Sequence, residues 1–126
     1  MLKKRIAFVI SMTLLCCVYF AQMPEKMTDT DVENLKRSLE FENEGVRKSA
    51  IYLAGFYRVE AAVIPLMKIL HEDPNPCLRL LAARSMYLIG DGRGIYAIYG
   101  AARFDEDFNV RKICCHLYRE FHMAKK

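Results

Sequence analysis

The segment DPNPCLRLLAARSMYLIGD, residues 73 to 91, carries the features that decide the fold. It opens with Asn75, a residue favoured as a helix N-cap, and Pro76, whose missing N–H costs nothing at the first helical position. Apolar residues then recur one position before Arg79 and three, four, seven and ten positions after it. That spacing is one stripe of an α-helix, so the segment predicts a helix that buries one face.

The same pattern occurs three times at a spacing of 32 residues. The aligned sets are Asn43, Asn75 and Asp107; Val46-Arg47, Leu78-Arg79 and Val110-Arg111; and Ala50, Ala82 and Cys114. Helical spacing also recurs between them, with apolar positions at Val63, Leu66 and Leu70, and then at Ile95, Ile98 and Ala102. An earlier helix is predicted over residues 30–39, with Thr30 and Glu33 as its capping box.

These helices form about three pairs, over residues 29–57, 60–90 and 93–122, with turns around Arg58-Val59 and Asp91-Gly92. The predicted fold is therefore all-α: a short α-solenoid, or α-α superhelix, of stacked helix pairs, preceded by an N-terminal hydrophobic helix. Three is the usual minimum at which stacked repeats bury enough shared core. The repeat domain is predicted to span residues 25–126.

Residues 1–24 have the pattern of a signal peptide or membrane anchor. Lys3, Lys4 and Arg5 precede 19 residues without a formal charge, Ile6 to Pro24. Either form would place the domain outside the cytoplasm, periplasmic or secreted, or tethered to the membrane. A cut after Ala21, lipid attachment at Cys17 and retention as an anchor all stay open.

The charge balance argues against a nucleic-acid partner. Setting aside the three basic residues at positions 3 to 5 leaves 16 of the 19 basic residues against 15 acidic ones. A nucleic-acid binder normally carries a clear basic excess to neutralise phosphates. Contact with a membrane is expected only through the N-terminal segment.

Residues 73 to 91 resemble the short bacterial HEAT-like repeat of the type that occurs in phycobilin lyases, which runs Asp, Val-Arg, alanines and a closing Gly-Asp. The resemblance covers most of residues 29–122, and Gly55 and Pro65 also match it. It departs at Phe41, where an acid is expected, and at Phe121-His122, which replace the closing Gly-Asp. Both departures suit terminal, capping repeats.

The resemblance implies two sets of residues. Arg47, Arg79 and Arg111 would each pair with an acid of the preceding turn, Asp73 with Arg79 and Asp105 with Arg111, forming a structural ladder, although a binding stripe is the alternative. The second helix of each pair would line the concave face. Its predicted partner-binding positions are Lys48, Tyr52 and Gly55; Leu80, Arg84 and Tyr87; and Lys112, His116 and Arg119, with an ordinary solvated helix face as the alternative.

No catalytic, metal or cofactor site is predicted. Cys114 and Cys115 occupy the places of Ala82 and Ala83, which favours small buried residues over a redox pair or metal site, and Cys77 is a candidate surface thiol. A di-iron hydroxylase of the same superfamily uses four His-Glu pairs, whereas this chain has one, at residues 71–72.

The predicted function is a non-catalytic protein–protein interaction scaffold, whose protein partner the sequence does not identify. Relatives with this repeat handle tetrapyrroles, so a lyase-type enzyme or cofactor chaperone is one alternative, although those activities are cytoplasmic. A structural component that self-associates through its open repeat ends is the other.

Overall fold

The computed structural model describes residues 26–125, and that part of the chain is all-α, without a strand. Its elements are α1 (Asp29–Leu39), α2 (Glu44–Phe56), a 3₁₀ turn (Glu60–Ala62), α3 (Val63–Glu72), α4 (Pro76–Ile89), α5 (Gly92–Phe104) and α6 (Phe108–Met123). The predicted signal or anchor, residues 1–24, lies outside the described residues. Within residues 26–125, each helix is too short or too polar to span a bilayer.

The second helix of each pair begins where the sequence predicts. The side chain of Asn43 accepts a hydrogen bond from the N–H of Val46 at 3.2 Å, and that of Asn75 accepts one from Cys77 at 2.9 Å. Asp107 caps α6 in the same way. These caps satisfy N–H groups that have no partner within the helix, so short polar side chains fix the three starts locally.

The start of α1 differs from the prediction. Thr28, not Thr30, is the N-cap, and its hydroxyl accepts from the N–H of Asp31 at 3.2 Å. The Asp31 carboxylate accepts in return from the N–H of Thr28 at 3.0 Å. The prediction of a capping box between Thr30 and Glu33 is wrong. Thr28 and Asp31 have the same spacing as Thr30 and Glu33, and the capping box forms at the earlier of these two pairs.

Both predicted turns between pairs are present. Arg58 lies at φ 52°, and Gly90 ends α4 in the left-handed conformation at φ 77°. Glycine adopts that conformation without a steric penalty, which explains its place directly after the helix. Asp91 then caps α5 by accepting a hydrogen bond from the N–H of Arg93 at 2.8 Å.

Helices pack mainly against their pair partner and against the equivalent helix of the neighbouring pair. The main contacts join α1 to α2, α3 to α4 and α5 to α6 within pairs. Between pairs, α2 contacts α4, α4 contacts α6, and α3 contacts α5. One buried cluster runs through all six described helices, with Leu39, Ile51, Leu66, Met86, Ile98 and Val110 among its members. Equivalent positions of successive second helices therefore lie side by side.

The closest approach between α2 and α4 depends on Gly55. A Cβ at this position would lie 2.8 Å from both Cα and Cβ of Ser85. The Ser85 hydroxyl donates to the carbonyl oxygen of Ile51 at 2.8 Å, so the backbones meet without an unpaired polar group. The prediction that Gly55 belongs to an exposed binding face is wrong, because its missing side chain admits the neighbouring helix.

We expect Gly55→Ala to lower the free energy of unfolding by about 1–2 kcal/mol, because the added methyl overlaps the α4 backbone. Gly100→Ala is the matched control, since a Cβ at Gly100 meets nothing within 4 Å. Replacing that glycine in a helix interior should raise the free energy of unfolding by about 0.5 kcal/mol. Denaturant titrations followed by circular dichroism measure both, and equal effects would contradict the assigned contact.

Candidate functional site

Arg79 connects two successive loops. Its Nη1 donates to the carbonyl oxygens of Asp73 at 2.9 Å and Pro74 at 3.4 Å, in the loop just before α4. Its Nε and Nη2 each donate to the carboxylate of Asp105 at 2.9 Å, in the loop before α6. The side chain is 4% exposed, and the hydrogen bond with Asp105 raises the pKa of the guanidinium. Arg79 therefore stays charged and holds both loops at once.

The other two arginines repeat the contacts within their own loops. The acceptors are the carbonyl oxygens of Phe41 and Glu42 for Arg47, and of Asp105 and Glu106 for Arg111. Arg47 also reaches forward, with its Nε 3.2 Å from the carboxylate of Asp73. Among the described residues, Arg111 contacts carbonyl oxygens but no carboxylate.

The predicted partners within this ladder are therefore wrong. The resemblance implies that the Asp73 carboxylate pairs with Arg79, but it pairs with Arg47, which lies 26 residues earlier. It likewise implies a pair between Asp105 and Arg111, whereas Asp105 pairs with Arg79. Each aspartate also accepts from the N–H two residues after it, at 2.9 Å.

The other predicted residues lie on α2, α4 and α6, and we call them the second-helix surface: Lys48, Tyr52, Arg84, Tyr87, Lys112, His116 and Arg119. Six of them are exposed, and Tyr87 is partly buried. The predicted position Leu80 is also partly buried. Because α2, α4 and α6 pack in order, these exposed positions form adjacent rows.

Three members of the second-helix surface line one groove. Tyr87, His116 and Arg119 surround a space of about 840 Å³, together with residues of the last turns of α6. The Tyr87 ring also meets the edge of the Phe121 ring, with centroids 6.5 Å apart. At the other end of the surface, Tyr52 stacks on Phe56 at 6.0 Å. The surface thus offers aromatic contact area at both ends.

The second-helix surface is basic although the chain after residue 5 is nearly neutral, with 16 basic against 15 acidic residues. Among the described residues, Lys48, Arg84, Lys112 and Arg119 take part in no ion pair. His116 lies 3.6 Å from Glu120, the acid that shares its groove. Four uncompensated cations interleaved with tyrosines are suited to an acidic and apolar partner.

The sequence pattern does not reveal a second groove, which lies between α3 and α5. Phe104 and Tyr96 at its edge are 81% and 75% exposed. The helical spacing of eight residues between these two aromatics could have indicated a shared face. Periodicity alone does not show that this face lacks a covering helix.

The three cysteines among residues 26–125 form no disulfide and differ in exposure. Cys114 is fully buried, and burial raises the pKa of its thiol to about 12, so it stays protonated. Cys115 is partly buried and Cys77 is exposed. Within residues 26–125, no group of three or more His, Cys, Asp or Glu side chains is placed to hold a metal ion.

No protein-family model matches the chain, and no curated protein is significantly similar to it. The all-helical architecture therefore rests on the structure, and the assignment to a repeat family stays a prediction from the sequence.

We expect Asp105→Ala to lower the free energy of unfolding by about 3 kcal/mol, because it leaves the buried Arg79 cation without its carboxylate. Arg93→Ala is the control. Arg93 forms an ion pair with Asp91, but its side chain is 58% exposed. Solvent screens such a pair, so little change is expected there. Adding Arg79→Met to Asp105→Ala should recover part of the lost stability in urea unfolding, and no recovery would contradict the coupling.

Proposed function

We propose that this chain is a non-catalytic interaction scaffold that binds a protein partner on its second-helix surface. The observation that carries the proposal is the row of unpaired cations and tyrosines on adjacent helices. Lys48, Arg84, Lys112 and Arg119 are exposed and take part in no ion pair among the described residues. The expected partner segment combines acidic residues with aromatic or aliphatic ones, which suits the cations and the groove beside Tyr87.

The proposed architecture is a HEAT-like α-solenoid of three helix pairs. Three features support it: the spacing of 32 residues between second helices, the packing of equivalent helices in chain order, and the arginines that join successive loops. In a solenoid each repeat contacts its neighbours, so a partner can extend along several repeats. A rigid curved surface of this kind binds without covalent chemistry.

The binding experiment uses the double variant Tyr52→Ala with Arg84→Glu in the full chain. We expect capture of the partner by the tagged protein to fall by at least about tenfold, because an aromatic anchor and a cation are removed together. Arg37→Glu with Ile64→Ala is the matched control, since it changes one charge and one exposed apolar side chain on first helices. Quantitative mass spectrometry of the captured proteins gives the readout.

Unchanged capture by a double variant that stays folded would refute the assigned surface. Saturable binding of a tetrapyrrole would instead support a cofactor chaperone or lyase. The structure offers no observation that favours that alternative.

We further propose that the repeat domain works outside the cytoplasm, secreted, periplasmic or tethered by residues 1–24. The support is the basic cluster at positions 3 to 5 followed by 19 uncharged residues. In a bacterial host, we expect protease added to spheroplasts to digest the domain or the periplasmic fraction to contain it. A mass loss of about twenty residues would mean cleavage, and full-length or lipid-modified protein in membranes would mean a tether. Full-length protein protected in the cytoplasm would contradict export.

A further inference from the structure

The groove between α3 and α5, which we call the outer groove, is lined by residues of α5 that differ from their counterparts on α3. At a spacing of 32 residues, Ile64, Lys68 and Glu72 of α3 correspond to Tyr96, Gly100 and Phe104 of α5. On α3, the second and third of these positions are lysine and glutamate. The third repeat replaces the lysine by glycine and the acid by phenylalanine.

Among the described residues, Gly100 has no packing role. It lies inside α5, where glycine is less favourable than other residues, and a Cβ there would meet nothing within 4 Å. Gly55 is the contrasting case, since its missing side chain admits α4. At Gly100 the missing side chain leaves the middle of the groove open to a group from outside the chain.

The two aromatics beside Gly100 are also unexplained by the fold. Tyr96 and Phe104 lie one helical turn before and after it, and Phe104 is more exposed than any other large apolar side chain among residues 26–125. Large aromatic side chains are unfavourable in contact with water, and these two make no contact with the buried core. Their position on both sides of an open glycine is suited to holding a large apolar side chain.

The outer groove has the dimensions of a peptide site. Its volume is about 710 Å³, and α3 contributes Met67 and His71 to the opposite wall. Between the walls, α5 presents the small residues Ala97, Gly100 and Ala101. An amphipathic helix that lays one apolar face into such a groove is a recurring mode of recognition.

The charges around the outer groove favour a cationic occupant. Four acids line it, Glu72, Asp73, Asp105 and Glu106, against Lys68 and Arg79. Asp73 and Asp105 are already bound by arginines. Glu72 takes part in no ion pair among the described residues, and the Glu106 side chain is 84% exposed at 3.5 Å from Arg79. With Lys68, Arg79 and the Asp73 partner Arg47 set against the four acids, the groove keeps an excess of one negative charge, at the end where Glu72 and the exposed Glu106 lie.

We propose that the outer groove is a docking site for a segment of another protein that is both apolar and cationic. A short amphipathic helix places a leucine, methionine or phenylalanine over Gly100, between Tyr96 and Phe104. A lysine or arginine of the same segment reaches Glu72 and Glu106. The site is independent of the second-helix surface, whose opposite charge selects a different kind of partner.

The test uses a fluorescein-labelled twelve-residue peptide of leucine and lysine, with the leucines at helical spacing, and fluorescence anisotropy with the full chain. The double variant Gly100→Lys with Phe104→Glu restores the residues of the second repeat. We expect it to bind the peptide at least about tenfold more weakly, because the groove is filled and its aromatic edge is lost. Its melting temperature should be unchanged or higher, since a helix-interior glycine is removed.

Two controls establish that the peptide binds at the outer groove and that its charge matters. Tyr52→Ala with Arg84→Glu, on the second-helix surface, should leave peptide affinity unchanged, so this test does not depend on the proposed function. A peptide with glutamate in place of every lysine should bind at least about tenfold more weakly. Equal affinity for both peptides, or equal affinity of the Gly100→Lys/Phe104→Glu variant and the unaltered chain, would overturn the proposal. Self-association of the unaltered chain that this variant abolishes would also overturn it, because the occupant would be a second copy.

Discussion

At each of the two junctions between helix pairs, a guanidinium bonds to two loops at once. Arg79 uses one nitrogen for carbonyl oxygens of its own loop and two for the carboxylate of the next. A planar guanidinium with five fixed N–H donors can serve both directions, whereas a lysine ammonium offers a single point charge. Because Arg47 makes the same two kinds of contact one pair earlier, successive loops keep a common geometry.

Because the loops share this geometry, differences in sequence between the helix pairs determine the surfaces that the pairs expose. Equivalent positions of neighbouring helices lie side by side. A lysine or tyrosine that recurs at such positions therefore forms a row on the surface, and a smaller residue at one of them leaves an opening in that row. The cations of α2, α4 and α6 accumulate on the second-helix surface. The change from lysine to glycine at position 100 opens the outer groove. A domain with almost no net charge thereby carries two surfaces of opposite character.

The two surfaces have different energetic origins. The second-helix surface presents long, solvated side chains, which contribute orientation and association rate more than affinity. The outer groove presents aromatic area and an open helix interior, which contribute affinity when a partner removes them from water. Together, the two proposed surfaces would let one chain hold two partners at once, one acidic and one basic.

The sequence alone determined the all-α class, the three second-helix starts and the turns between pairs. Each of these depends on residues close in sequence, through short-range hydrogen bonds at the helix starts and local backbone conformation at the turns. Asn43, Asn75 and Asp107 need only the next two or three N–H groups. Tertiary structure decided which arginine each aspartate takes, because Asp73 lies between Arg47 and Arg79 in the sequence, and only the packing of successive helix pairs brings the earlier arginine within reach. It also decided that Gly55 is buried and Gly100 is open, since both are glycines in helices and the difference lies in whether another helix approaches.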